Sequence, residues 1–291
     1  MNQKYQISSE SLQVSIQENG AELCSVKDIK TGLEFMWDAN PDIWNRHAPV
    51  LFPIVGKLNN NEIRINGQKY SMNQHGFARD MPFEPIEVYS DLLKFMLESN
   101  EETLKKFPYE FKFFITYQIV KNKVSITYSC LNQGQENMYF SVGAHPGFKL
   151  PLPQLDQYQI EFEYPEDLNR HLLKDGLFSG ETESLGRQTQ ILPLNSALFL
   201  KDAIVLEGLK STWLKLVQTE TNFAVKLDFA GFPYMGIWAK LGAQDFICLE
   251  PWQGLADSIG FEGEISQKKG IHCLGPGSEL SFTYSLEFSA G

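Results

Sequence analysis

Residues 112–120 (KFFITYQIV) and 123–130 (KVSITYSC) are the most strongly strand-forming part of this 291-residue chain, and only Lys121-Asn122 separates them. In the second stretch apolar side chains alternate with polar ones, and those on the apolar face are Val124, Ile126, Tyr128 and Cys130. Alternation with a period of two predicts a strand with one buried face. Two such strands joined by two residues predict an antiparallel hairpin.

The same strand-and-turn pattern extends from this hairpin in both directions. Residues 6–35 have the pattern of strand, turn and strand, which predicts an opening β-meander. Residues 61–70 predict a hairpin with Asn66-Gly67 at its turn, because this dipeptide readily adopts the positive φ angles of a two-residue turn. Residues 280–288 predict a final strand.

Signals for other structure are few. One short surface helix is predicted at residues 99–106, with acidic residues in its first turn and lysines in its last. Residues 151–193 are polar, and the only strands expected there are short ones at 158–162 and 190–192. No βαβ unit, low-complexity linker or charge block divides the chain. The sequence therefore predicts an all-β fold, a large antiparallel β-sandwich, in a single domain spanning residues 1–291.

Composition narrows the class of protein. A hydrophobic content of 43% and a charged content of 21% are typical of a soluble globular protein. The net charge of −11 disfavours nucleic acids and acidic membranes as partners, because such surfaces repel an acidic protein. No apolar run approaches the roughly 20 residues of a membrane span. The N-terminus lacks a signal-peptide pattern and the four cysteines are widely spaced, so we expect reduced thiols and a cytoplasmic location. No oligomeric state is predicted.

Three polar stretches are candidates for the chemistry: residues 73–80 (NQHGFARD), 142–148 (VGAHPGF) and 248–254 (CLEPWQG). Each places His75, His145 or Glu250 among small residues, prolines and aromatics, a composition more typical of a cleft than of a core. Burying an unpaired carboxylate is costly, so a glutamate at the end of an apolar strand requires a cleft or a partner. A carboxylate and an imidazole can serve as base and acid near neutral pH.

Other residues in these regions allow two interpretations each. Arg46 and Lys57 flank an apolar, proline-containing segment, residues 48–57, and either bind a substrate or are solvated surface charges. The nearby aromatic residues either stack against a sugar ring or pack in the core; they are Phe77, Phe148, Trp238 and Trp252. A metal site at the two histidines and the glutamate remains an alternative, although the chain has no H-x-H or H-E-x-x-H pattern.

The motifs as a set resemble the aldose 1-epimerase (galactose mutarotase) superfamily, and the LacX-type proteins of bacteria are the most similar branch. The resemblance rests on residues 74–79 (QHGFAR), 143–148 (GAHPGF), 236–238 (GIW) and 248–252 (CLEPW), in this order and spacing. It extends over nearly the whole chain. It implies the large antiparallel β-sandwich known as the supersandwich, and an isomerase that interconverts the α and β anomers of a hexose without cofactor or metal.

The resemblance also implies roles for single residues. His145 matches the general acid that protonates the ring oxygen, and Glu250 the general base that deprotonates the anomeric hydroxyl. His75 matches a second histidine that contacts the sugar, and Asp202 an aspartate that binds sugar hydroxyls. Arg79 matches an arginine of branches related to hexose-6-phosphate mutarotases. Acid and base are expected on opposite walls of one cleft.

The sugar itself stays open. Residues 56–59 (GKLN) stand where galactose mutarotases carry asparagine and arginine, so galactose is not specified. Arg79, Lys57 and Arg46 could together bind the phosphate of a hexose phosphate. A non-catalytic sugar-binding or sensing protein and a metal-dependent enzyme of cupin type are further alternatives.

Overall fold

The computed structural model describes residues 3–290 and confirms the all-β prediction. In chain order the strands are β1 (Lys4–Ser8), β2 (Leu12–Gln17), β3 (Glu22–Asp28), β4 (Val50–Leu51), β5 (Glu62–Ile65), β6 (Gln68–Ser71), β7 (Glu84–Val88), β8 (Leu92–Glu98), β9 (Phe111–Val120), β10 (Lys123–Asn132), β11 (Met138–Phe140), β12 (Gly143–Ala144), β13 (Gly147–Lys149), β14 (Tyr158–Lys174), β15 (Leu177–Pro193), β16 (Ile204–Glu207), β17 (Trp213–Gln218), β18 (Phe223–Asp228), β19 (Tyr234–Trp238), β20 (Phe246–Trp252), β21 (His272–Leu274) and β22 (Glu279–Ala290). The helical elements are α1 (Glu101–Leu104) and 3-10 turns at Asn59–Asn61, Ala78–Asp80, Leu155–Gln157, Ser196–Phe199 and Ile265–Gln267.

One long sheet contains most of the strands. Its order is β4-β12-β20-β19-β16-β14-β17-β18-β22-β10-β9-β8-β7, with β13 paired to β20 and β15 to β14. Smaller sheets are formed by β1-β2-β3, β5-β6 and β11-β21. No helix within residues 3–290 has the length and apolar character to cross a membrane.

The long sheet folds over on itself to form the sandwich. Phe52, which directly follows β4 at one end of the strand order, stacks on Phe113 of β9, near the other end, with ring centroids 4.2 Å apart. Both rings are fully buried in one hydrophobic core. Packing between the faces of distant strands is what a β-sandwich requires. The apolar segment 48–57 contributes Phe52 to this core.

The local predictions hold for the clearest hairpins. β9 and β10 pair in the expected register, with Lys121 at a φ of 54° in the turn. β5 and β6 pair around Asn66 and Gly67, whose φ angles are 51° and 77°. The predicted helix is a single turn, and its cap is Asn100, whose side chain accepts from two backbone N–H groups.

The strands predicted within residues 151–193 are too short. Instead of two short strands, β14 and β15 are 17 residues each and form a long ribbon that turns at Asp175-Gly176. Most of β15 is exposed, so its side chains carry no alternating hydrophobic pattern. Several irregularities in the pairing of the two strands further obscure a period of two. β14 buries one face in the core, with Ile160, Phe162 and Leu168, whereas β15 is held mainly by its backbone pairing with β14.

Candidate active site

The three polar stretches meet because their strands are neighbours in the long sheet. β12 pairs with β4 on one side and β20 on the other, so His145, just after β12, lies beside Glu250 of β20. The stretch with His75 joins them through a bridge between Phe52 and Gly76 and through hydrogen bonds from residues 77 and 78 to the Phe52 carbonyl. Strand pairing therefore brings together residues that are 70 to 175 positions apart.

His145 and Glu250 form the centre of the site. The Nε2 atom of His145 lies 3.2 Å from Oε2 of Glu250. Glu250 is only 1% exposed and His145 9%. The expectation that acid and base occupy opposite walls is wrong, since their strand segments are hydrogen-bonded neighbours.

Burial shifts both groups toward their neutral forms. Desolvation raises the pKa of Glu250 well above its ordinary value, and the charge of Asp202 adds to this, whereas the nearby indole of Trp252 acts against it. Desolvation lowers the pKa of His145 to about 3. Burial therefore favours a protonated carboxyl group on Glu250 and a neutral imidazole on His145.

His75 is held by its backbone and by its ring. Its backbone N–H donates to the carbonyl of Gly56 (2.9 Å), and the Gly56 N–H donates to its Nδ1 (3.1 Å). An acceptor Nδ1 leaves the proton on Nε2, which lies 3.2 Å from Nε2 of Gln74. With this tautomer the Gln74 amide must be turned so that its oxygen accepts from His75. The ring meets His145 edge to face with centroids 5.7 Å apart. Burial, followed by the charges of His145 and Arg79, lowers the His75 pKa well below its ordinary value.

Gly76 determines where His75 lies, and its replacement makes a specific prediction. Its φ is 73°, and a Cβ there would lie 2.2 Å from the Phe52 carbonyl oxygen. Gly67 has a similar φ of 77° but open space around it. We expect Gly67→Ala to cost about 1–2 kcal/mol of unfolding free energy from backbone strain alone. Gly76→Ala should cost about 1–3 kcal/mol more.

Urea unfolding of both variants and equilibrium binding of a hexose measure this difference. Gly67→Ala is the matched control, since it shares the left-handed backbone but lies in a hairpin turn outside the cleft. Only Gly76→Ala should weaken hexose binding, because the displaced backbone carries His75. Equal losses of stability and binding in the two variants would show that the contact with Phe52 is unimportant.

The three predicted basic residues are not brought together. Arg79 lines the cleft, and its Nη2 donates to the Gln74 carbonyl at 2.8 Å. The Arg46 guanidinium instead forms an ion pair with Asp80, outside the residues that line the cleft. The Lys57 ammonium donates to the carbonyl of Asp175 at 2.8 Å and so anchors the tip of the β14–β15 ribbon.

Asp202 lies at the rim of the cleft. It is exposed, precedes β16 and adopts a φ of 72°. Its Oδ1 accepts a hydrogen bond from the backbone N–H of Ala203 at 2.8 Å, which orients the carboxylate.

The aromatic residues divide between cleft and core. Trp238 and Trp252 line the cleft, whereas Phe77 and Phe148 are buried in the main hydrophobic core. The sequence reasoning missed Trp44, which stacks on the His145 ring with centroids 4.9 Å apart and planes 26° apart. A tryptophan within the proline- and aspartate-rich segment 38–47 was the available signal. It also missed the ribbon tip, whose cleft-lining residues are Leu173, Gly176 and Phe178.

The cleft concentrates polar atoms that lack a partner. Within residues 3–290, six buried side-chain nitrogen or oxygen atoms have no hydrogen-bond partner, and four of them belong to cleft residues. They are Nε of Arg79, Nδ1 of His145, Oε2 of Glu250 and Nε1 of Trp252. Unsatisfied buried polar atoms are costly, and their concentration in one place indicates a binding site for a polar ligand.

The size of the cleft suits a small polar molecule. Its cavity volume of about 280 Å³ is close to the lower end of the range of ligand sites in proteins, as a single sugar ring requires. The walls combine tryptophans with the charged or polar groups of Arg79, Asp202, His75 and Gln74. Apolar faces and convergent hydrogen-bonding groups together match a ring that carries several hydroxyls.

A possible metal-ligand set differs from the one expected from the sequence. In the part of the chain that the structure describes, one group of three ligand-type side chains comes close enough, and it consists of His145, Cys248 and Glu250. One ligand atom from each lies within 4.8 Å of the others. Cys248 takes the place of His75 in this set.

Comparison with known proteins identifies the family. The family model described as aldose 1-epimerase matches residues 3–271. The chain therefore belongs to the aldose 1-epimerase family.

The individual relatives place it in the LacX-type branch. The plasmid-encoded protein LacX of Lactococcus lactis subsp. lactis is 32% identical over 276 residues, which cover 91% of this chain and 92% of that protein. A galactose mutarotase related enzyme from Lactobacillus acidophilus is 34% identical with a TM-score of 0.95, over 99% of this chain and 98% of that one. A galactose mutarotase-like protein from Lactobacillus casei is 30% identical with a TM-score of 0.94, over 99% and 100%. The fold is thus the galactose mutarotase-like sandwich.

Proposed function

We propose that this protein is an aldose 1-epimerase that interconverts the α and β anomers of an unphosphorylated hexose, with Glu250 as general base and His145 as general acid. The observation that carries the proposal is the adjacent His145–Glu250 pair in a cleft where four buried polar atoms lack hydrogen-bond partners. A sugar supplies both hydroxyl donors and oxygen acceptors to such atoms. Family membership supports the reaction class.

In the proposed reaction, sugar binding moves the proton of Glu250 to His145. The anomeric hydroxyl donates to Oε2 of Glu250, which has no hydrogen-bond partner in the unliganded cleft. That hydrogen bond stabilises the carboxylate, and the indole N–H of Trp252 acts in the same direction. The proton of the pair then moves to His145, 3.2 Å away, and the imidazolium faces the ring oxygen.

The reaction then consists of proton transfers and one bond exchange. Glu250 takes the proton of the anomeric hydroxyl while His145 gives its proton to the ring oxygen. The C1–O5 bond breaks, its electrons go to O5, and a C1=O1 double bond forms. After rotation about C1–C2, His145 recovers the proton from O5, the ring closes on the other face of C1, and Glu250 returns its proton to O1. Both residues end as they began, so no other reactant is consumed.

The placement of the basic residues favours a free hexose over a hexose phosphate. Of the three candidates only Arg79 lines the cleft, although its Nε also lies 3.8 Å from Oδ2 of Asp80, the carboxylate that pairs with Arg46. Lys57 donates to a backbone carbonyl. Tight phosphate binding uses several converging cationic or N–H donors. We therefore assign Arg79 to a sugar hydroxyl, and Asp202 and His75 to others.

Polarimetry or NMR exchange on freshly dissolved α-glucose, α-galactose and α-glucose 6-phosphate tests the proposal. The protein should accelerate the approach to anomeric equilibrium of a free hexose above the spontaneous rate. An excess of inorganic phosphate should leave that acceleration unchanged. Acceleration of the phosphate ester alone would favour a hexose-6-phosphate mutarotase. Hexose binding without acceleration would favour a sensor on the same fold.

The two arginines provide a matched test of substrate binding. Arg79→Gln removes a guanidinium that faces the cleft, and we expect KM for the hexose to rise about tenfold, as for a lost charged hydrogen bond. Arg46→Gln removes a guanidinium that is paired with Asp80, and KM should change far less. Initial rates over a range of hexose concentrations measure both. A larger effect of Arg46→Gln would contradict the assignment.

A further inference from the structure

We propose that the base of this cleft also binds a thiophilic divalent cation such as Zn²⁺, through His145, Cys248 and Glu250, and that the cation excludes the sugar. Cys248 and Glu250 are two positions apart on β20, so their side chains lie on the same face of the sheet. His145 approaches that face from the neighbouring β12. One ligand atom from each of the three residues lies within 4.8 Å of the others.

The donor set and spacing suit zinc. Imidazole nitrogen, thiolate and carboxylate are its three common protein ligands, at about 2.0–2.3 Å from the ion, so ligand atoms in a tetrahedral site are about 3–4 Å apart. The His145–Glu250 separation of 3.2 Å already meets this requirement. Three protein ligands leave the fourth position of a tetrahedral ion open toward the cleft.

A second observation concerns a Glu250 oxygen atom that lacks a hydrogen-bond partner. Oε2 of Glu250 is buried and has no hydrogen-bond partner, and the residue is 1% exposed. A cation would displace the protons of the buried carboxyl group and of the buried thiol.

The consequence for activity is competitive inhibition. The cation would occupy the Glu250 oxygen and the His145 nitrogen that the sugar requires, so metal and hexose cannot bind together. This part rests on the proposed function, whereas binding of the cation does not. The two parts therefore need separate measurements.

The binding test uses the full chain, freed of metal with a chelator and carrying Cys273→Ser to remove the exposed thiol. Co²⁺ serves as the spectroscopic probe, because coordination by a thiolate produces a charge-transfer band in the near ultraviolet. We expect one equivalent of Co²⁺ to produce the band, and Zn²⁺ to displace it. The band should be absent from Cys248→Ser and present in the control Cys130→Ser, which alters an equally buried thiol in β10.

A band that persists in Cys248→Ser, or no band in the starting protein, would overturn the proposal. Should Cys248→Ser fail to fold, Glu250→Gln replaces it and should weaken Zn²⁺ binding at least about tenfold in competition with a chromophoric chelator. Unchanged Zn²⁺ affinity in Glu250→Gln would also overturn it. In the activity arm, Zn²⁺ should raise the apparent KM for the hexose and a chelator should reverse the effect. A protein without mutarotase activity would refute the proposed function while leaving the spectroscopic result to decide the metal site.

Discussion

Glu250→Gln is expected to lower the rate of hexose anomerisation by about 10²–10⁴-fold, the contribution typical of one positioned acid or base. Glutamine keeps the shape of the side chain but cannot take the proton of the anomeric hydroxyl. Polarimetry at saturating hexose measures kcat, and equilibrium titration measures binding. Hexose binding should persist, because the cleft-lining tryptophans, Arg79 and Asp202 are unchanged.

The same substitution should make the folded protein more stable. Burial raises the pKa of Glu250 above its ordinary value of 4.5. Between that value and the folded-state pKa, the native protein holds a proton that the unfolded chain has lost. The native state then binds more protons, so the free energy of unfolding falls as pH rises through this window. Glutamine removes that fall, so Glu250→Gln should exceed the wild type in stability at neutral pH. Urea unfolding of both chelator-treated proteins at several pH values measures this difference in the free energy of unfolding.

Glu166→Gln is the matched control for both effects. Glu166 is also buried, at 3% exposure, but its carboxylate accepts from the backbone N–H and hydroxyl of Ser211 outside the cleft. Its loss should destabilise the protein without slowing anomerisation, because it breaks satisfied hydrogen bonds. A Glu250→Gln variant that retains most of the activity would remove Glu250 from the mechanism.

The strands that the sequence predicts correctly are those that bury one face in the core. β9 and β10 are recognisable because core packing imposes apolar residues at every second position. The β14–β15 ribbon is recognisable only at its base, residues 158–162 and 190–192, because most of β15 contacts solvent and its pairing with β14 is irregular. The fold-over of the long sheet, shown by Phe52 against Phe113, depends on tertiary packing that no local pattern encodes.

The sequence likewise predicts only part of the candidate site. His75, His145 and Glu250 are recognisable because titratable groups among glycines and prolines are unusual, and the structure brings all three together. Arg46 and Lys57 were misleading, because a cation in an apolar segment can satisfy itself with a distant carboxylate or carbonyl. Trp44 was missed because its contact with His145 joins two irregular segments about 100 positions apart.

His145→Asn should lower the activity as much as Glu250→Gln does, but it should destabilise the folded protein, whereas Glu250→Gln should stabilise it. Loss of the proton donor to the ring oxygen should cost about 10²–10⁴-fold in kcat. The smaller side chain also removes a ring that packs against Trp44 and Trp238, so the free energy of unfolding should fall by about 1–3 kcal/mol. His171→Asn is the control, since His171 and Glu207 form a pair of similar length, 3.1 Å, outside the cleft.

The double variant tests whether the two residues act as one unit. A base without its acid, or an acid without its base, cannot complete the proton exchange that opens the ring. The variant with both His145→Asn and Glu250→Gln should therefore be no slower than the slower single variant, because residues of one catalytic unit are not additive. Polarimetry on the wild type, the two single variants and the double variant measures the four rates that this comparison needs. Rate losses that multiply would mean that the two groups act independently, and the shared proton across 3.2 Å would then have no part in catalysis.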